Sequence, residues 1–248
     1  MKLDLNADVG EGMAADEELL GIVTSASIAC AAHAGDEASM QAAIDLCLKN
    51  GVGIGAHPGY ADRANFGRQP QNLALGDVAA LAADQTRLLM RLTAEAGGKV
   101  LHVKPHGALS NQAMADMELA CALARGIAGV APDLIFLAPS GSAMVSAGRE
   151  MGLKVVEEIF ADRAYDRQGL LVPRARPGAV LHDPILIAER IISWLKTGRI
   201  ETQDGPDIAL PGQSVCLHGD TAEAVAIART LKRRLLAEGV RLTPLSLL

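Results

Sequence analysis

Histidine, aspartate and lysine are side chains that move protons near neutral pH, and in this 248-residue chain they recur beside glycine. His33-Ala34-Gly35-Asp36, His57-Pro58-Gly59, His106-Gly107 and His218-Gly219-Asp220 share the pattern. Glycine next to a polar side chain lets the backbone turn sharply and lets a ligand approach the main chain. His102, Lys104 and His106 alternate along one segment, and Asn6, Asp8 and Glu11 stand near the start. A neutral imidazole serves as acid or base at pH 7. Lys104 sits in a confined stretch before Pro105, where an ammonium must be paired and its pKa moves readily. Arg63 and Arg68 flank the segment after His57, and Asp162 with Arg163 opens a long irregular stretch. Guanidinium pairs bidentately with carboxylate or phosphate, so these arginines suit an anionic substrate. For any one of these residues the competing reading is a hydrogen-bonded structural histidine or a solvated surface charge. Five of the six histidines falling at strand ends favour a site.

These residues need elements that bring them together. Short β-type runs are predicted at Lys2–Asp8, Ser25–Cys30, Val52–Ala56, Val100–Lys104, Leu134–Ala138, Lys154–Glu158 and Ser214–His218. Apolar residues at helical spacing follow several of them. Met40, Ala43, Ile44, Cys47 and Leu48 form one face, with Asp36 as cap and Gly51 as stop. Val78, Leu81, Leu88, Leu89 and Leu92 form a second face, closed by Gly97 and Gly98. Ile187, Ile191, Trp194 and Leu195 form a third before Gly198, and Val225, Ile227, Ala228, Leu231 and Leu235 a fourth before Gly239. Strands alternating with helices imply parallel pairing. The expected fold is a seven-stranded parallel β/α barrel, one domain over residues 1–248, with an open doubly wound sheet as the alternative. In such a barrel the chemistry gathers at the carboxyl ends of the strands. His33, His57, His102, His106 and His218 fall there, while His182 precedes the third helix. Ala161–Gly178 reads as a functional loop, and Thr197–Gln213 as an excursion before the last strand.

Composition removes other classes. The net charge is −6 with scattered basic residues, and aromatics make up 2%, which argues against a nucleic-acid partner. No run is long and apolar enough for a membrane span, and Asp4, Asn6 and Asp8 interrupt any signal-peptide pattern. Cys30, Cys47, Cys121 and Cys216 are far apart in apolar contexts, so disulfides, a thiolate metal site and a thiol nucleophile are not expected. A cytoplasmic location follows. Gly51-Val-Gly53-Ile-Gly55 matches a dinucleotide fingerprint in letters only, because it leads to His57-Pro58 and not into a helix. No phosphate-binding GxxxxGK[ST] loop and no GxSxG elbow occur.

Long motifs then carry a resemblance. Asn6-Ala7-Asp8-Val9-Gly10-Glu11, His33-Ala34-Gly35-Asp36, Gly55-Ala56-His57-Pro58-Gly59-Tyr60, Phe66-Gly67-Arg68, His102-Val103-Lys104-Pro105-His106-Gly107, Phe160-Ala161-Asp162-Arg163-Ala164-Tyr165 and His218-Gly219-Asp220 occur in this order. Together with Ser27–Cys30 and Pro177–Val180, they make the chain resemble the LamB/YcsF family over nearly its whole length. That family includes the A subunit of bacterial ATP-dependent 5-oxoprolinase. The resemblance implies a barrel similar to those of polysaccharide deacetylases. It also implies cleavage of the lactam 5-oxoproline to L-glutamate coupled to ATP hydrolysis, with partner subunits B and C activating the substrate with ATP. Ala7 stands where the family commonly has Cys, Ala31-Ala32 where it has Gly-Phe, Ser110 where it has Tyr, and Ala61 and Gln69 where it has Pro and Arg.

On that resemblance Asp8 and His57 are expected to do acid–base work, and Lys104 and His106 to stabilise negative charge on an activated carbonyl oxygen or phosphate. Arg163 is expected to hold the substrate carboxylate, with Asn6, His33, Arg68 and Asp162 also binding substrate. His218 and Asp220 are expected to form an oriented acid–base pair. A Lys104→Ala variant should lose turnover and keep its fold. Two other readings stay open: a metal-dependent amidohydrolase or deacetylase with Asp8, His33 and His57 around a divalent ion, and a non-catalytic scaffold for the partner subunits.

Overall fold

The computed structural model describes residues 1–248. In chain order the strands are β1 (Lys2–Val9), β2 (Ser25–Ala29), β3 (Gly53–His57), β4 (Val100–Val103), β5 (Ile135–Pro139), β6 (Lys154–Phe160), β7 (Arg199–Ile200), β8 (Ile208–Ala209), β9 (Ser214–Leu217) and β10 (Arg241–Leu242). The helices are α1 (Asp16–Leu20), α2 (Glu37–Asn50), α3 (Leu75–Glu95), α4 (Gly107–Ala115), α5 (Met117–Ala128), α6 (Ala143–Glu150), α7 (Pro184–Thr197) and α8 (Ala224–Ala237). Strands β1 to β6 pair in sequence, β6 pairs with β9, and β9 pairs back onto β1, all parallel, which closes the barrel. The open doubly wound alternative is thereby excluded. β10 adds a short parallel pairing to the amino end of β1. The predicted excursion at Thr197–Gln213 is the antiparallel β7–β8 hairpin.

Alternation along the strands sorts side chains between two environments. In β1, Leu3, Leu5, Ala7 and Val9 join the main apolar core between barrel and helices. Asp4, Asn6 and Asp8 point the other way, because Asn6 meets Glu158 of β6 and Ser214 of β9 across the barrel interior. Along β1 the interior is therefore polar, whereas the outer wall is apolar; a small separate cluster of Ile135, Leu137, Val156 and Leu245 adds an apolar part. Ala7, where the family commonly has Cys, lies on the core side and does not touch the site.

Helix ends follow their caps. Asp36 accepts from the Ser39 backbone N–H, and the Asp36 backbone N–H donates to Ser39 Oγ, while Gly51 ends α2 in the left-handed region. Asp183 caps α7, Pro184 occupies its first turn, and Gly198 stops it. The glycines of the false dinucleotide fingerprint have a barrel role. A Cβ on Gly55 would lie 2.0 Å from His102 Nε2, so only glycine lets that ring cross the interior. His102, grouped with the strand-end set on sequence, is fully buried below the mouth beside Ser27. Burial pushes its pKa down to about 3, leaving it neutral. No helix is long and apolar enough to cross a membrane.

Candidate active site

At the carboxyl ends of the strands lies a cavity of about 400 Å³, in the size range of small-molecule sites. Lys104, just past β4, forms its floor and is only 3% exposed. Its ammonium lies 2.9 Å from Asp8 Oδ1, 3.2 Å from Asn6 Oδ1, 2.9 Å from Cys216 Sγ and 3.3 Å from Glu158 Oε2. Burial opposes the charge, but Asp8 and Glu158 outweigh it and hold the lysine pKa well above its usual value. One cation faces two buried carboxylates, and they respond in opposite directions. Burial raises Asp8, yet His57 and Lys104 overcome it and keep the group ionised. Burial raises Glu158 above the ordinary carboxylate range against the pull of Lys104, and its Oε1 has no hydrogen-bond partner.

His57 closes β3 and is fixed by its backbone neighbour across the sheet. Its Nδ1 lies 2.6 Å from the Lys104 carbonyl oxygen, which requires the proton on Nδ1. Nε2 then points at Asp8 Oδ2, 3.3 Å away, and at Glu11 Oε1, 4.0 Å away. Burial lowers the His57 pKa, but Asp8 more than reverses this and the net shift is upward. His57 thus has the posture of a proton carrier at the cavity wall.

Beside it, the rings of His33 and His106 stack in parallel at 3.8 Å between centroids. Their Nε2 atoms lie 3.3 and 3.6 Å from Glu11 Oε1. Burial depresses both pKa values, so both rings are neutral in the ordinary pH range. Gly67 makes room for the stack: it adopts φ +61°, and a Cβ there would lie 2.8 Å from His33 Cβ. His33 sits behind His106, 1% exposed and outside the cavity lining, so the expected substrate contact becomes a packing role.

On the opposite wall the expected His218–Asp220 pair is replaced by another. His218 Nδ1 lies 2.9 Å from Asp162 Oδ1, and its backbone N–H donates to Asp162 Oδ2 at 3.0 Å. Asp162, expected to bind substrate, instead orients His218 and leaves its Nε2 for the cavity. Burial raises the Asp162 pKa, but His218 outweighs it and the net shift is downward. Asp220 turns outward to Arg68 and Arg174. Arg163 is buried and reaches the cavity edge, yet it donates from Nε to the Ala179 carbonyl and from Nη2 to the Val172 carbonyl. Its guanidinium shapes the loop over Ala161–Gly178 as well as the wall. Asn6 lies beneath the cavity, donating to Glu158 and Ser214, and serves to place Lys104.

Glu158, Cys216 and Arg174 are the site residues that sequence reasoning overlooked. The signal for two of them was the alternation itself: Ser214, Cys216 and His218 face inward together, as do Asp4, Asn6 and Asp8. Cys216 is therefore in a charged setting and not the apolar one expected, although burial keeps its thiol protonated. Arg174 stands in an irregular loop that offers no periodic signal. Among the positions that depart from the family pattern, Ser110 lines the cavity and Ala32 does not. Ala31 adopts φ 62°, where glycine is at ease.

The donor atoms of Glu11, His33 and His106 all lie within 4.8 Å of one another, the separation a metal ion needs. This is not the Asp8–His33–His57 set expected on sequence. The parallel stack aims the two ring lone pairs side by side and not at one point, and neither Nδ1 has the acceptor that orients a ligating histidine. The set as arranged does not fit a divalent ion.

Comparison with known proteins agrees with this geometry. A protein from Nitrobacter winogradskyi, named as the A subunit of 5-oxoprolinase, is 43% identical over all of both chains. Another of that name from Rhodopseudomonas palustris is 45% identical over 98% of each. The crystal structure of a lactam utilization protein from Thermus thermophilus superposes with a TM-score of 0.90 at 36% identity, covering 98% of this chain and 99% of that one. A peptidoglycan N-acetylglucosamine deacetylase domain from Eubacterium rectale shares the fold alone, with a TM-score of 0.53 at 13% identity over 98% of this chain and 87% of that one. The model of the LamB/YcsF family matches residues 3–248, and the chain belongs to that family.

Proposed function

We propose that this chain is the lactam-opening subunit of an ATP-dependent 5-oxoprolinase, converting 5-oxoproline to L-glutamate together with partner subunits B and C. The full-length relatives named as 5-oxoprolinase A subunits, and the lactam utilization protein, support the substrate class. The observation that carries the reading is His57, held by the Lys104 carbonyl on one side and facing Asp8 on the other. An unstrained lactam resists water because amide resonance stabilises it. ATP, bound by the partner subunits, phosphorylates the carbonyl oxygen. A first water adds to the carbon and the ring nitrogen leaves, giving an acyl phosphate, and a second water then releases phosphate and glutamate. The need for ATP suits a cytoplasmic location.

This chain then supplies positioned acid–base groups. His57, when unprotonated at Nε2, takes a proton there from attacking water, and Asp8 stabilises the imidazolium that results. Lys104 and His106 line the cavity where negative charge develops on the former carbonyl oxygen, the ammonium as a fixed countercharge in a dry site. His218, oriented by Asp162, is the candidate to protonate the ring nitrogen as it leaves. Glutamate release that needs ATP and all three chains supports this reading, and release by this chain alone without ATP overturns it.

Metal-assisted hydrolysis is the second reading, favoured by the closeness of Glu11, His33 and His106. It requires the His33–His106 stack to part. Stoichiometric metal in purified protein, with activity lost to a chelator and independent of ATP, would establish it.

A further inference from the structure

The outer half of the cavity carries a charge arrangement that the acid–base chemistry leaves unused. Arg68 from the loop after β3 and Arg174 from the loop after β6 converge on Asp220, in the loop after β9. Arg68 Nη2 lies 2.5 Å and Arg174 Nη1 3.2 Å from the same oxygen, Asp220 Oδ2. The other oxygen, Oδ1, is buried and has no hydrogen-bond partner. A carboxylate accepts through both oxygens and pairs best with a guanidinium two bonds at a time. Two arginines sharing one oxygen, beside a dry second oxygen, form an under-satisfied cluster. The Asp220 side chain is 11% exposed, whereas those of Arg68 and Arg174 are 37% and 27% exposed, so the arginines stay open to a newcomer. Both line the cavity, as do Arg163 at its edge and Lys104 on its floor, against only Asp8 and Glu11 as lining acids.

We propose that Arg68 and Arg174 form an anion subsite for the phosphoryl group of the ATP-activated lactam, with Asp220 as a resident counter-ion that the incoming dianion displaces. This rests on the 5-oxoprolinase reading. A phosphoryl group presents several oxygens to two forks at once, which one Asp220 oxygen does not, and its double charge competes well for two arginines. A substrate carboxylate offers the same bidentate chemistry at half the charge, so the test must separate the two.

The probe is inorganic phosphate, titrated calorimetrically into the full-length protein at pH 7.5, against sodium acetate and sodium chloride at matched ionic strength. Phosphate should bind at least tenfold more tightly than acetate. Arg174→Ala and Arg68→Ala should each weaken phosphate at least tenfold. Arg174→Lys, which keeps the charge without the fork and is gentle on the fold, should weaken it several-fold. Asp220→Asn should tighten phosphate binding, because it removes the competitor; a merely structural Asp220 would give the opposite sign. Weaker or unchanged binding in Asp220→Asn, or arginine variants that bind like wild type, would overturn the proposal. Equal binding of acetate and phosphate would overturn the phosphoryl assignment. Because the titration involves no turnover, its failure leaves glutamate release intact. Bound phosphate without glutamate release would instead count against the enzymatic reading.

Discussion

Removing the Lys104 ammonium should cost stability as well as turnover, and the two losses can be separated. Lys104 lies 2.9 Å from the buried Asp8 carboxylate and 3.3 Å from that of Glu158; His57 helps to balance Asp8, and Asn6 donates to Glu158. In Lys104→Met those acids lose that partner while both remain buried. Breaking a buried pair by deleting one member costs ~3–5 kcal/mol, a large share of the ~5–15 kcal/mol that holds a typical domain together. Loss of the lysine should therefore weaken the fold, a cost to be measured beside the loss of turnover expected for Lys104→Ala. Glu158→Gln added to Lys104→Met removes one uncompensated charge and should return ~1–3 kcal/mol as a coupling energy. The sign with pH follows from linkage. Without the lysine, the folded-state pKa values of both acids rise, and the folded chain binds more protons than the unfolded one. The favourable contribution of those protons is present at low pH and is lost as pH rises through the raised values. Urea denaturation followed by circular dichroism should therefore show a larger loss at pH 8 than at pH 5, and the double variant should regain stability without regaining glutamate release. Equal losses at both pH values, or a Glu158→Gln effect that simply adds to the first, would refute the reasoning.

Further outcomes follow from the same geometry. Asp8→Asn should lower the His57 pKa from its raised value, read by NMR titration; its stabilising contribution, present below the unfolded histidine pKa of about 6.5 and lost as pH rises through the folded value, should vanish in urea denaturation. Asp162→Asn unties His218 and should reduce glutamate release by ~10²-fold or more with little change in thermal midpoint, in line with general acid–base contributions. Ala31→Gly should stabilise the chain by ~0.5–1 kcal/mol in urea denaturation, since a left-handed L-residue costs roughly 1–2 kcal/mol and glycine's extra unfolded entropy takes back only part.

Much of the frame was legible in the residues. The seven barrel strands were readable because each is a short apolar or alternating run bounded by glycine or a polar turn, and α2 and α7 because their caps and left-handed glycines are local. The β7–β8 hairpin and β10 pair over only two residues each, too short for any periodic signal. At the site, Asp8, His57, Lys104 and His106 could be placed at one mouth because strand ends share a face in a parallel barrel. Their partners could not be read so easily. Whether His218 pairs with Asp162 or Asp220 depends on how two loops cross, and both acids stand near it by the chain's motifs. Glu158 and Cys216 were visible in the two-residue alternation of β6 and β9, but an acid and a thiol among apolar letters become a lysine cradle only once the barrel closes on β4. Arg174 became a partner of Asp220 only through the folding of an irregular loop.

The most direct test of the lactam-opening role combines a His57→Ala chain with active B and C subunits and measures glutamate release from 5-oxoproline with ATP present. Wild-type protein should support release, none should occur without ATP, and His57→Ala should abolish it while the complex still assembles. Wild-type release by the His57→Ala assembly would contradict that role and make the barrel a scaffold for its partners.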